Sequence, residues 1–332
     1  VFGSHQGLWK VPLTGARRPT RVTAFTGGAA DPSFSRAIGH GSSIRLVYQS
    51  DITDVNIWRW DPARREARKI AGSTWYDDFP AVAPGGDRVA FASNRTGENE
   101  IWVADADGSN PRQVTFHRGP VVMSPAWSPD GKRLAFSSEV AGNRDIYVIR
   151  ADGSQSTRIT TAPSEETNPS WSPDGRWIYF RSDQAGIGQL WKVPAAGGGT
   201  PMRVTTGEAL RGFPSPDGRL LYFVRSADVP GLWSVPVDGG REMFILSDVR
   251  DGYWAVADSG IFFLVPSPEG SSGREALKFF AFATGTVSTL PAPSEWWTYR
   301  PGFSAARDGR FVLWTRWDNA IRDLMLIDPW TP

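Results

Sequence analysis

Acid, amide, hydroxyl, guanidinium and aromatic side chains recur along this chain at one place in a regular pattern, just before a short apolar run. The positions lie 42 to 47 residues apart, and they are Asp31, Asp78, Ser124, Asn168, Arg211, Tyr253 and Arg300. Brought together in one pocket, groups of these types can hold a peptide terminus or a small charged ligand. Whether they meet depends on the elements that the intervening residues form.

Residues suited to covalent or metal chemistry are few. The chain has no cysteine, which excludes disulfides, cysteine-ligated metals and thiol nucleophiles. Its three histidines, His5, His40 and His117, fall at different points of the pattern and form no local chelate. The sequence also lacks a Gly-x-Ser-x-Gly nucleophile elbow. It therefore predicts no catalytic residue, no metal and no cofactor, and it favours a binding protein over an enzyme.

Composition narrows the range of partners. The 332 residues include 36 basic and 35 acidic ones, and the formal charge of +1 creates no field that would gather nucleic acid. No run approaches the roughly 18 apolar residues of a membrane span, so we expect no membrane insertion of this chain. Residues 1–4 already read as a strand, from which we expect the natural polypeptide to extend further upstream.

The regular pattern is an internal repeat. Its clearest mark is Ser-Pro-Asp-Gly, at residues 128–131, 172–175 and 215–218, with weaker copies at 83–86 and 306–309. An apolar run follows each copy, and a second run comes next, centred on Trp9, Trp58, Trp102, Tyr147, Trp191, Trp233, Phe279 and Leu324. A polar turn and a short run that often ends in Val-Thr or Ile-Thr complete the unit. Each unit therefore predicts four short strands joined by turns.

Several of these strands are apolar at successive residues, as at residues 261–265, so both of their faces must be covered. Four-stranded sheets that repeat at such intervals are typical of a β-propeller. We predict an all-β single propeller over residues 1–332, with eight four-stranded antiparallel blades, or seven as the alternative. Its units are residues 32–79, 80–124, 125–168, 169–212, 213–252 and 253–300, with incomplete first and last units at 1–31 and 301–332.

The repeats resemble a known family. The Ser-Pro-Asp-Gly hairpins, and the phrase Glu-Ile-Trp-Val-Ala-Asp-Ala-Asp-Gly at residues 100–108, are similar to the TolB-like, WD40-like propeller repeats of bacteria. Residues 189–194 and 323–328 further resemble the C-terminal propellers that some bacteria fuse behind a winged-helix regulator or a protein kinase. The resemblance covers nearly the whole chain and implies a sensory, assembly or scaffold role. It transfers no catalytic residue, because the shared residues form turns and packing.

The direction of the chain in each blade places two kinds of connection on opposite faces of the ring. Turns between the first and second strands, and between the third and fourth, share one face, which we call the turn face. The aspartates of the Ser-Pro-Asp-Gly turns are predicted to cap their own turns there. Loops between the second and third strands, and links between blades, share the other face, which we call the connection face. Function concentrates in such variable loops.

Links between blades descend toward the central axis, so the recurring polar residues should ring the channel mouth on the connection face. The predicted ligand-binding set is Asp31, Asp78, Ser124, Asn168, Arg211, Tyr253 and Arg300, with Trp75, Tyr76, Arg250, Trp296 and Trp297 nearby. One half of the set is acidic and amide, and the other is basic and aromatic. The alternative is that these groups bond only to loop backbones and channel water.

The sequence thus favours a non-catalytic propeller that binds a protein, a peptide or a small ligand at the connection face, as the sensory or assembly part of a larger bacterial protein. One alternative is a polysaccharide lyase or hydrolase that uses an acid among Asp31, Asp77 and Asp78. Another is the propeller domain of a prolyl-oligopeptidase-like peptidase without its catalytic half. We expect a periplasmic or otherwise extracytoplasmic location, with the cytoplasm as the alternative, and no nucleic-acid partner.

Overall fold

The structure of the protein is a computed structural model. It describes residues 2–4, 7–10, 20–21, 28–34, 46–73, 75–226, 230–265, 276–293 and 302–327. Within residues 2–53 and 319–327 this description covers the backbone, and the side chains of Pro32 and Val47 only. Every regular element in the described residues is a β-strand.

The chain divides into two compact units, Val1–Asp54 with Trp317–Pro332, and Val55–Arg316. In the first unit, a three-stranded antiparallel sheet contains Phe2–Ser4, Gly7–Lys10 and Thr20–Arg21. The strand Gly28–Phe34 pairs with the first part of the long strand Leu46–Asp61. The second unit contains the propeller.

Five blades follow one another along the second unit, and each has four antiparallel strands in sequence order from the centre outwards. Blade 1 contains Asp77–Val82, Arg88–Ser93, Glu100–Asp105 and Arg112–Gln113, and blade 2 contains Val122–Trp127, Arg133–Ser138, Asp145–Arg150 and Thr157–Arg158. Blade 3 contains Glu166–Trp171, Trp177–Ser182, Gln189–Pro194 and Met202–Arg203, and blade 4 contains Arg211–Pro214, Leu220–Val224, Leu232–Pro236 and Met243–Leu246. Blade 5 contains Trp254–Ala257, Gly260–Val265, Ala276–Ala281 and Thr286–Thr289.

Blade 6 combines strands from distant parts of the chain. Its two inner strands are Phe303–Ala305 and the first part of Val312–Ile327. Its two outer strands are the last part of Leu46–Asp61 and the strand Glu66–Ala71. Val312–Ile327 and Leu46–Asp61 are hydrogen-bonded neighbours in this sheet, so their pairing joins the end of the ring to its beginning.

Apolar residues between neighbouring blades form the core. The described residues contain six core clusters, one between each pair of adjacent blades. One of these clusters packs Ile57 and Leu313 of blade 6 against Val89 and Phe91 of blade 1. Because this interface is packed like the others, the blades form a closed ring and leave no terminal sheet face uncovered.

The predicted count of eight blades, and the alternative of seven, are wrong, because the propeller has six. The last predicted unit, residues 301–332, and the second, residues 32–79, supply two halves of one blade. In the predicted first unit, residues 1–31, three strands pair with one another: Phe2–Ser4, Gly7–Lys10 and Thr20–Arg21. They belong to the compact unit that does not contain the propeller. The all-β propeller and its four-stranded antiparallel blades are confirmed. The extent of the propeller over residues 1–54 and 317–332 stays a prediction.

The Ser-Pro-Asp-Gly motifs form the tight turns that were predicted for them. In the turn of blade 3, the Ser172 hydroxyl donates to Asp174 Oδ1 at 2.5 Å and accepts from the Trp177 N–H at 2.9 Å. The glycine that follows has a φ of 72°, a left-handed conformation that favours glycine. The pKa of Asp174 lies below its usual range because the Ser172 hydroxyl and the Arg176 N–H bond to the ionised form. The structural role predicted for these aspartates is confirmed.

Candidate binding site at the channel mouth

The innermost strands of the blades surround a central channel with a cavity volume of about 230 Å³. Its wall includes residues of every blade, among them Val82, Trp127, Trp171, Pro214, Ala257 and Phe303. A space of this size accepts a peptide segment or a small molecule and excludes a folded domain. The mouth on the connection face is where the innermost strands begin, and it is the part of the wall with the most varied side chains.

A repeated backbone irregularity aims three side chains at this mouth. Phe79, Ser124 and Asn168 each precede a proline, have φ values of 51°, 55° and 53°, and lie at a bulge in the innermost strand of blades 1, 2 and 3. Such values are uncommon for residues other than glycine, and each costs on the order of 1 kcal/mol or more. A bulge turns a side chain away from the regular alternation of a strand. The fold therefore maintains strain at the residues that line the mouth.

A row of polar side chains crosses blades 2, 3 and 4. The Ser124 hydroxyl donates to Asn168 Oδ1 at 3.3 Å, and Arg211 Nη2 donates to the same oxygen at 3.1 Å. Asn168 Nδ2 donates to the Leu210 carbonyl at 3.2 Å, which fixes the orientation of the amide. We call Ser124, Asn168 and Arg211 the polar row. Its members are held by one another and by the backbone before any ligand binds.

Arg211 is the charged group of the polar row. Its side chain is 13% exposed, and its ion-pair partner is Asp251, whose Oδ1 lies 4.0 Å from Arg211 Nε. Among the described residues, Arg211 Nε is buried without a hydrogen-bond partner. The Nε lies toward Asp251, so the donors that could meet an acceptor entering the mouth are those of the two Nη groups, of which Nη2 also donates to Asn168. Carboxylates and peptide carbonyls are the acceptors that fit these donors best.

Aromatic rings complete the wall on the other side of the polar row. Phe79 lies with its ring 5.9 Å from the Arg211 guanidinium carbon, and Phe213 and Phe303 also line the channel. The Phe213 ring packs edge-on against Trp254 at 4.9 Å, which holds it in place. The mouth therefore offers a hydrogen-bonding side and an apolar side to one ligand.

The predicted set is only partly assembled at the mouth. Ser124, Asn168 and Arg211 line the channel together. Asp78 is buried, and the next residue, Phe79, takes the lining position. Tyr253 is half-buried against the core between blades 5 and 6, and Arg250 is exposed on the link between blades 4 and 5.

The other members of the predicted ligand-binding set lie either in the link that leads to blade 1 or outside the residues that the structure describes. Trp75 and Tyr76 are half-buried; the Trp75 carbonyl accepts from the Val55 N–H, and the Tyr76 N–H donates to Asn94 Oδ1. Arg300, Trp296 and Trp297 lie outside the described residues, as does the side chain of Asp31. A role in ligand binding stays a prediction for every member of the set.

The phenylalanines of the mouth were missed in the sequence because they lie one or two residues beyond the recurring polar positions. A signal for them is present. The dipeptides Phe79-Pro80, Ser124-Pro125, Asn168-Pro169 and Phe213-Pro214 recur 44 to 45 residues apart. A proline at a fixed place in successive innermost strands indicates a local irregularity of the sheet, and in blades 1, 2 and 3 the residue before it is the one redirected, whereas Phe213 lies in a strand of regular register.

Three exposed apolar side chains lie in links and loops of the connection face. Phe116 lies in the link between blades 1 and 2 and is 63% exposed. Val140 and Ile187 are exposed in the loops between the second and third strands of blades 2 and 3. Each of these side chains offers apolar surface that a protein bound on this face could cover.

Buried acids lie beneath the same face. Asp77 is ion-paired with Arg95 at 2.8 Å, and Glu100 accepts from the Thr115 hydroxyl at 2.5 Å and the Arg118 N–H at 3.0 Å. In blade 1, the Asp77 pair ties the loop between the second and third strands to the sheet, and the Glu100 bonds tie the link that leads to blade 2. The acids therefore hold the loops of the connection face in position.

Between blades 2 and 3, two carboxyls are buried close enough to influence each other. Burial raises the pKa of Glu166, hydrogen bonds from Ser164 and Ser182 oppose that rise, and the charge of Asp145 adds to it. Burial also raises the pKa of Asp145, against the nearby Arg158 guanidinium, whose Nη2 lies 2.7 Å from Asp145 Oδ2. The fold therefore disfavours ionisation of both acids.

Replacement of Glu166 by Gln is expected to stabilise the protein at neutral pH. Because the pKa of Glu166 is higher in the fold than in the unfolded chain, its ionised form costs stability, and that cost appears as the pH rises through the interval between the two values. Glu166→Gln has no such cost, so we expect a melting temperature about 2 °C above wild type at pH 7 and equal to it near pH 4. Thermal unfolding at both pH values measures this.

The opposite change is expected for Asp174→Asn, the control for this experiment. The pKa of Asp174 is depressed in the fold, so its ionised form contributes stability that is lost as the pH falls through that value. Asp174→Asn should therefore lower the melting temperature at pH 7, with a smaller deficit at acid pH. A Glu166→Gln variant that is less stable than wild type at pH 7 would contradict the description of the pair.

Three findings concern other kinds of site. In the described part of the chain, no group of three or more His, Cys, Asp and Glu side chains is arranged to hold a metal ion. His117 packs against the rings of Phe136 and Tyr147, at 5.9 and 6.1 Å. The same described ranges contain no helix that could cross a membrane.

One family model and several solved structures are similar to this chain. Residues 118–275 match the model of the TolB beta propeller domain family. TolB from Acinetobacter baumannii is 17% identical, with a TM-score of 0.55 over 89% of this chain and 80% of that one. An oligogalacturonate lyase from Vibrio parahaemolyticus is 11% identical, with a TM-score of 0.52 over 85% and 76%. A chain of a nidogen/laminin complex is 10% identical, with a TM-score of 0.55 over 73% and 94%.

At these identities the structural likeness concerns the fold. The closed ring, the channel and the antiparallel blades define the class, an all-β six-bladed propeller. Within that class, the match over residues 118–275 and the repeat motifs are similar to those of TolB-like propellers. Its fusion to a winged-helix or kinase domain stays a prediction.

Proposed function

We propose that this TolB-like propeller is a non-catalytic binding or scaffold domain that captures a protein or peptide partner on the connection face, with a segment of the partner in the channel mouth. The observation that carries the proposal is Arg211, a channel-lining guanidinium that Asn168 holds at the mouth through Nη2, next to the apolar wall of Phe79. A charged donor that is largely withdrawn from water gains a charge-assisted hydrogen bond when a ligand acceptor reaches it.

The chemistry of the mouth favours a peptide over a smaller ligand. The polar row supplies donors for a carboxylate or a backbone carbonyl, and Phe79 and Phe213 supply an apolar wall for a neighbouring side chain. Phe116, Val140 and Ile187 add apolar contacts farther out on the connection face. A partner that reaches both regions needs the length of a peptide or the surface of a protein.

Selection from a library of displayed random peptides tests the proposal with a defined probe. The full chain should enrich peptides, and the affinity of an enriched peptide should fall at least about tenfold for Arg211→Ala, because loss of a charge-assisted bond at a desolvated site costs about 1.5–3 kcal/mol. Isothermal titration measures the affinities.

The matched control is Arg219→Ala, which removes an exposed arginine from the turn face. It should leave peptide affinity unchanged. The proposal fails if no peptide is enriched, or if Arg211→Ala and Arg219→Ala bind the enriched peptides alike. Thermal unfolding of both variants shows whether a loss of affinity reflects the mouth or the fold.

The rival proposal of a polysaccharide lyase or hydrolase receives less support. The similarity to the oligogalacturonate lyase concerns the fold, at 11% identity. Of the three acids that were expected to serve such chemistry, Asp77 is ion-paired with Arg95 and Asp78 is buried away from the channel wall. Turnover of oligogalacturonate by the purified chain, followed through its unsaturated products, would favour the rival.

An extracytoplasmic location, most simply the periplasm, is part of the same proposal. It is supported by the TolB-like repeats and by the likeness to TolB from Acinetobacter baumannii. Fractionation of cells that express the natural polypeptide tests it, and recovery in the cytoplasmic fraction would oppose it.

A further inference from the structure

Arg211 reaches across the channel at its connection-face end. It begins on the innermost strand of blade 4, and its guanidinium carbon lies 5.9 Å from the centre of the Phe79 ring of blade 1, the opposite blade in a ring of six. Asn168 Oδ1 of blade 3 accepts from Arg211 Nη2 at 3.1 Å and from the Ser124 hydroxyl of blade 2 at 3.3 Å. Side chains of four blades therefore meet at this end and narrow the channel.

Beyond this end the channel wall is apolar. Equivalent residues of the six innermost strands form one layer of it: Val82, Trp127, Trp171, Pro214, Val256 and Ala305. The rings of Trp127 and Trp171 are fixed, because each indole N–H donates to a carbonyl of the preceding blade, at 3.0 and 3.1 Å. Ser170 and Ser304 of the wall already bond to the backbone of the following blade, at 2.7 and 3.1 Å. The wall therefore offers mainly apolar surface to a ligand.

The turn-face end of the channel has a rim of six residues, one from each turn between a first and a second strand. They are Pro84, Pro129, Pro173, Pro216, Asp258 and Arg307. Arg307 Nε and Nη2 both lie 2.9 Å from Asp258 Oδ1, and the two side chains are about half exposed. A second cavity of about 210 Å³ adjoins the rim and shares Pro84, Asp258 and Arg307 with it. This end of the channel is therefore open to solvent.

The charges on the wall favour an acidic ligand. Among the described residues that line the channel, the charged ones are Arg211, Asp258 and Arg307. Asp258 and Arg307 neutralise each other at the rim, whereas Asp251, the ion-pair partner of Arg211, does not line the channel. The channel thus presents one positive charge at its inner end, beyond an apolar wall. A carboxylate bonds well to a guanidinium, and an apolar group attached to the carboxylate gains free energy by leaving water.

We propose that the channel binds a small amphipathic carboxylic acid that enters from the turn face. Its carboxylate bonds to the Arg211 Nη groups, and its aryl ring or alkyl chain lies along the layer that contains Trp127 and Trp171. Asn168 and Pro173 mark the two ends on blade 3, roughly 16 Å apart at about 3.3 Å per residue. An acid with a phenyl ring or a medium-length alkyl chain fits this depth. This ligand is distinct from the partner proposed for the connection face, and it approaches Arg211 from the opposite side.

Isothermal titration of the full chain with 3-phenylpropionate, and with octanoate as an alkyl probe, tests the proposal. The controls are the corresponding neutral amides, which have nearly the same shape without the charge. We expect the acids to bind at least about tenfold more tightly than their amides, because only the acids form a charge-assisted pair with Arg211. The proposal is overturned if neither acid binds, or if acids and amides bind alike.

Two variants locate the acid in the channel. Arg211→Gln removes the charge and should raise the dissociation constant of the acid at least about tenfold, whereas Arg219→Gln, on the turn face outside the wall, should not change it. Val256→Trp fills the apolar layer and should weaken binding to a similar extent. The same substitution at Val287, which is exposed on the outer strand of the same blade, should have no effect.

Wild-type affinity in either Arg211→Gln or Val256→Trp overturns the placement of the acid in the channel. Thermal unfolding identifies a variant that loses affinity because it is less folded, and the comparison of acids with amides needs no variant. None of these titrations contains the connection-face partner, so their outcome is independent of the peptide selection. A chain that binds the acid but enriches no peptide has the channel site and lacks the proposed partner capture.

Discussion

Replacement of Trp314 by Ala should lower the free energy of unfolding by about 3–5 kcal/mol. Trp314 is fully buried on the second strand of blade 6, in the core cluster that also contains Trp60 and Leu264. Trp60 comes from the outer half of the blade and Leu264 from blade 5, so the truncation opens a cavity where the two ends of the ring and the neighbouring blade meet. Equilibrium denaturation in guanidinium chloride measures the loss.

Phe116→Ala provides the comparison for this variant. Phe116 is largely exposed, so its truncation removes little packing and should cost less than about 1 kcal/mol. If Trp314→Ala costs no more than Phe116→Ala, blade 6 is not packed as described, and the closure of the ring is in doubt.

Replacement of Gly108 by Ala is expected to have the second large effect. Gly108 lies in the outer turn of blade 1 with a φ of 91°, and a Cβ atom there would overlap the backbone carbonyl of Ile70 in the outer strand of blade 6. The variant must therefore separate blade 1 from blade 6 as well as strain its own backbone. We expect a loss of more than about 3 kcal/mol, measured by the same denaturation experiment.

Gly97 is a matched control in the same blade. Its φ of 99° is similar, but a Cβ atom there meets nothing within 4 Å. Gly97→Ala should therefore show the backbone strain alone, on the order of 1–2 kcal/mol. Equal losses in the two variants would mean that blades 1 and 6 do not touch at Ile70.

The repeating unit could be predicted from the sequence because its signals are local. Ser172, Asp174 and Gly175 define a turn within a few residues, and the apolar runs on either side define the strands that the turn joins. Burial on both faces of the strands then favours blades over an open sheet. These features depend on neighbours in the chain, and the structure confirms them.

The number of blades could not be predicted, because it depends on a pairing between distant segments. The strand that contains Trp58 and the strand that contains Leu313 lie in one blade, although each has the sequence of a separate repeat unit. The strand around Trp9 has the same spacing but pairs in a three-stranded sheet. Spacing identifies strands, whereas hydrogen bonds between remote strands assign them to sheets.

Only part of the candidate site could be predicted from the position of residues in the repeat. The link between blades does reach the channel, so Ser124, Asn168 and Arg211 were found from their place in the repeat. In blade 1 the residue at the bulge, equivalent to Ser124 and Asn168, is Phe79, so Phe79 lines the channel and Asp78, one residue earlier, is buried. A bulge changes which side chain faces the channel without changing the composition of the strand.

The turn face contributes contacts between blades, whereas the connection face contains the proposed binding surface. Arg88 Nη2 donates to the Gly131 carbonyl at 2.9 Å, and Arg310 Nη2 donates to the Gly86 carbonyl at 2.8 Å, so contacts on the turn face fasten blade 1 to blade 2 and blade 6 to blade 1. The connection face has the strained residues of the mouth and the exposed apolar side chains. Rigid support behind a variable surface is the usual arrangement of a binding scaffold.

Hydrogen exchange of the full chain, with and without a peptide selected on it, tests the proposed capture at the mouth most directly. We expect added protection in the links and innermost strands around the polar row, at residues 118–125, 162–170 and 205–213, and no change in the turns at residues 128–133 and 172–177. Protection confined to those turns, or to the outer strands of the blades, would contradict capture at the channel mouth.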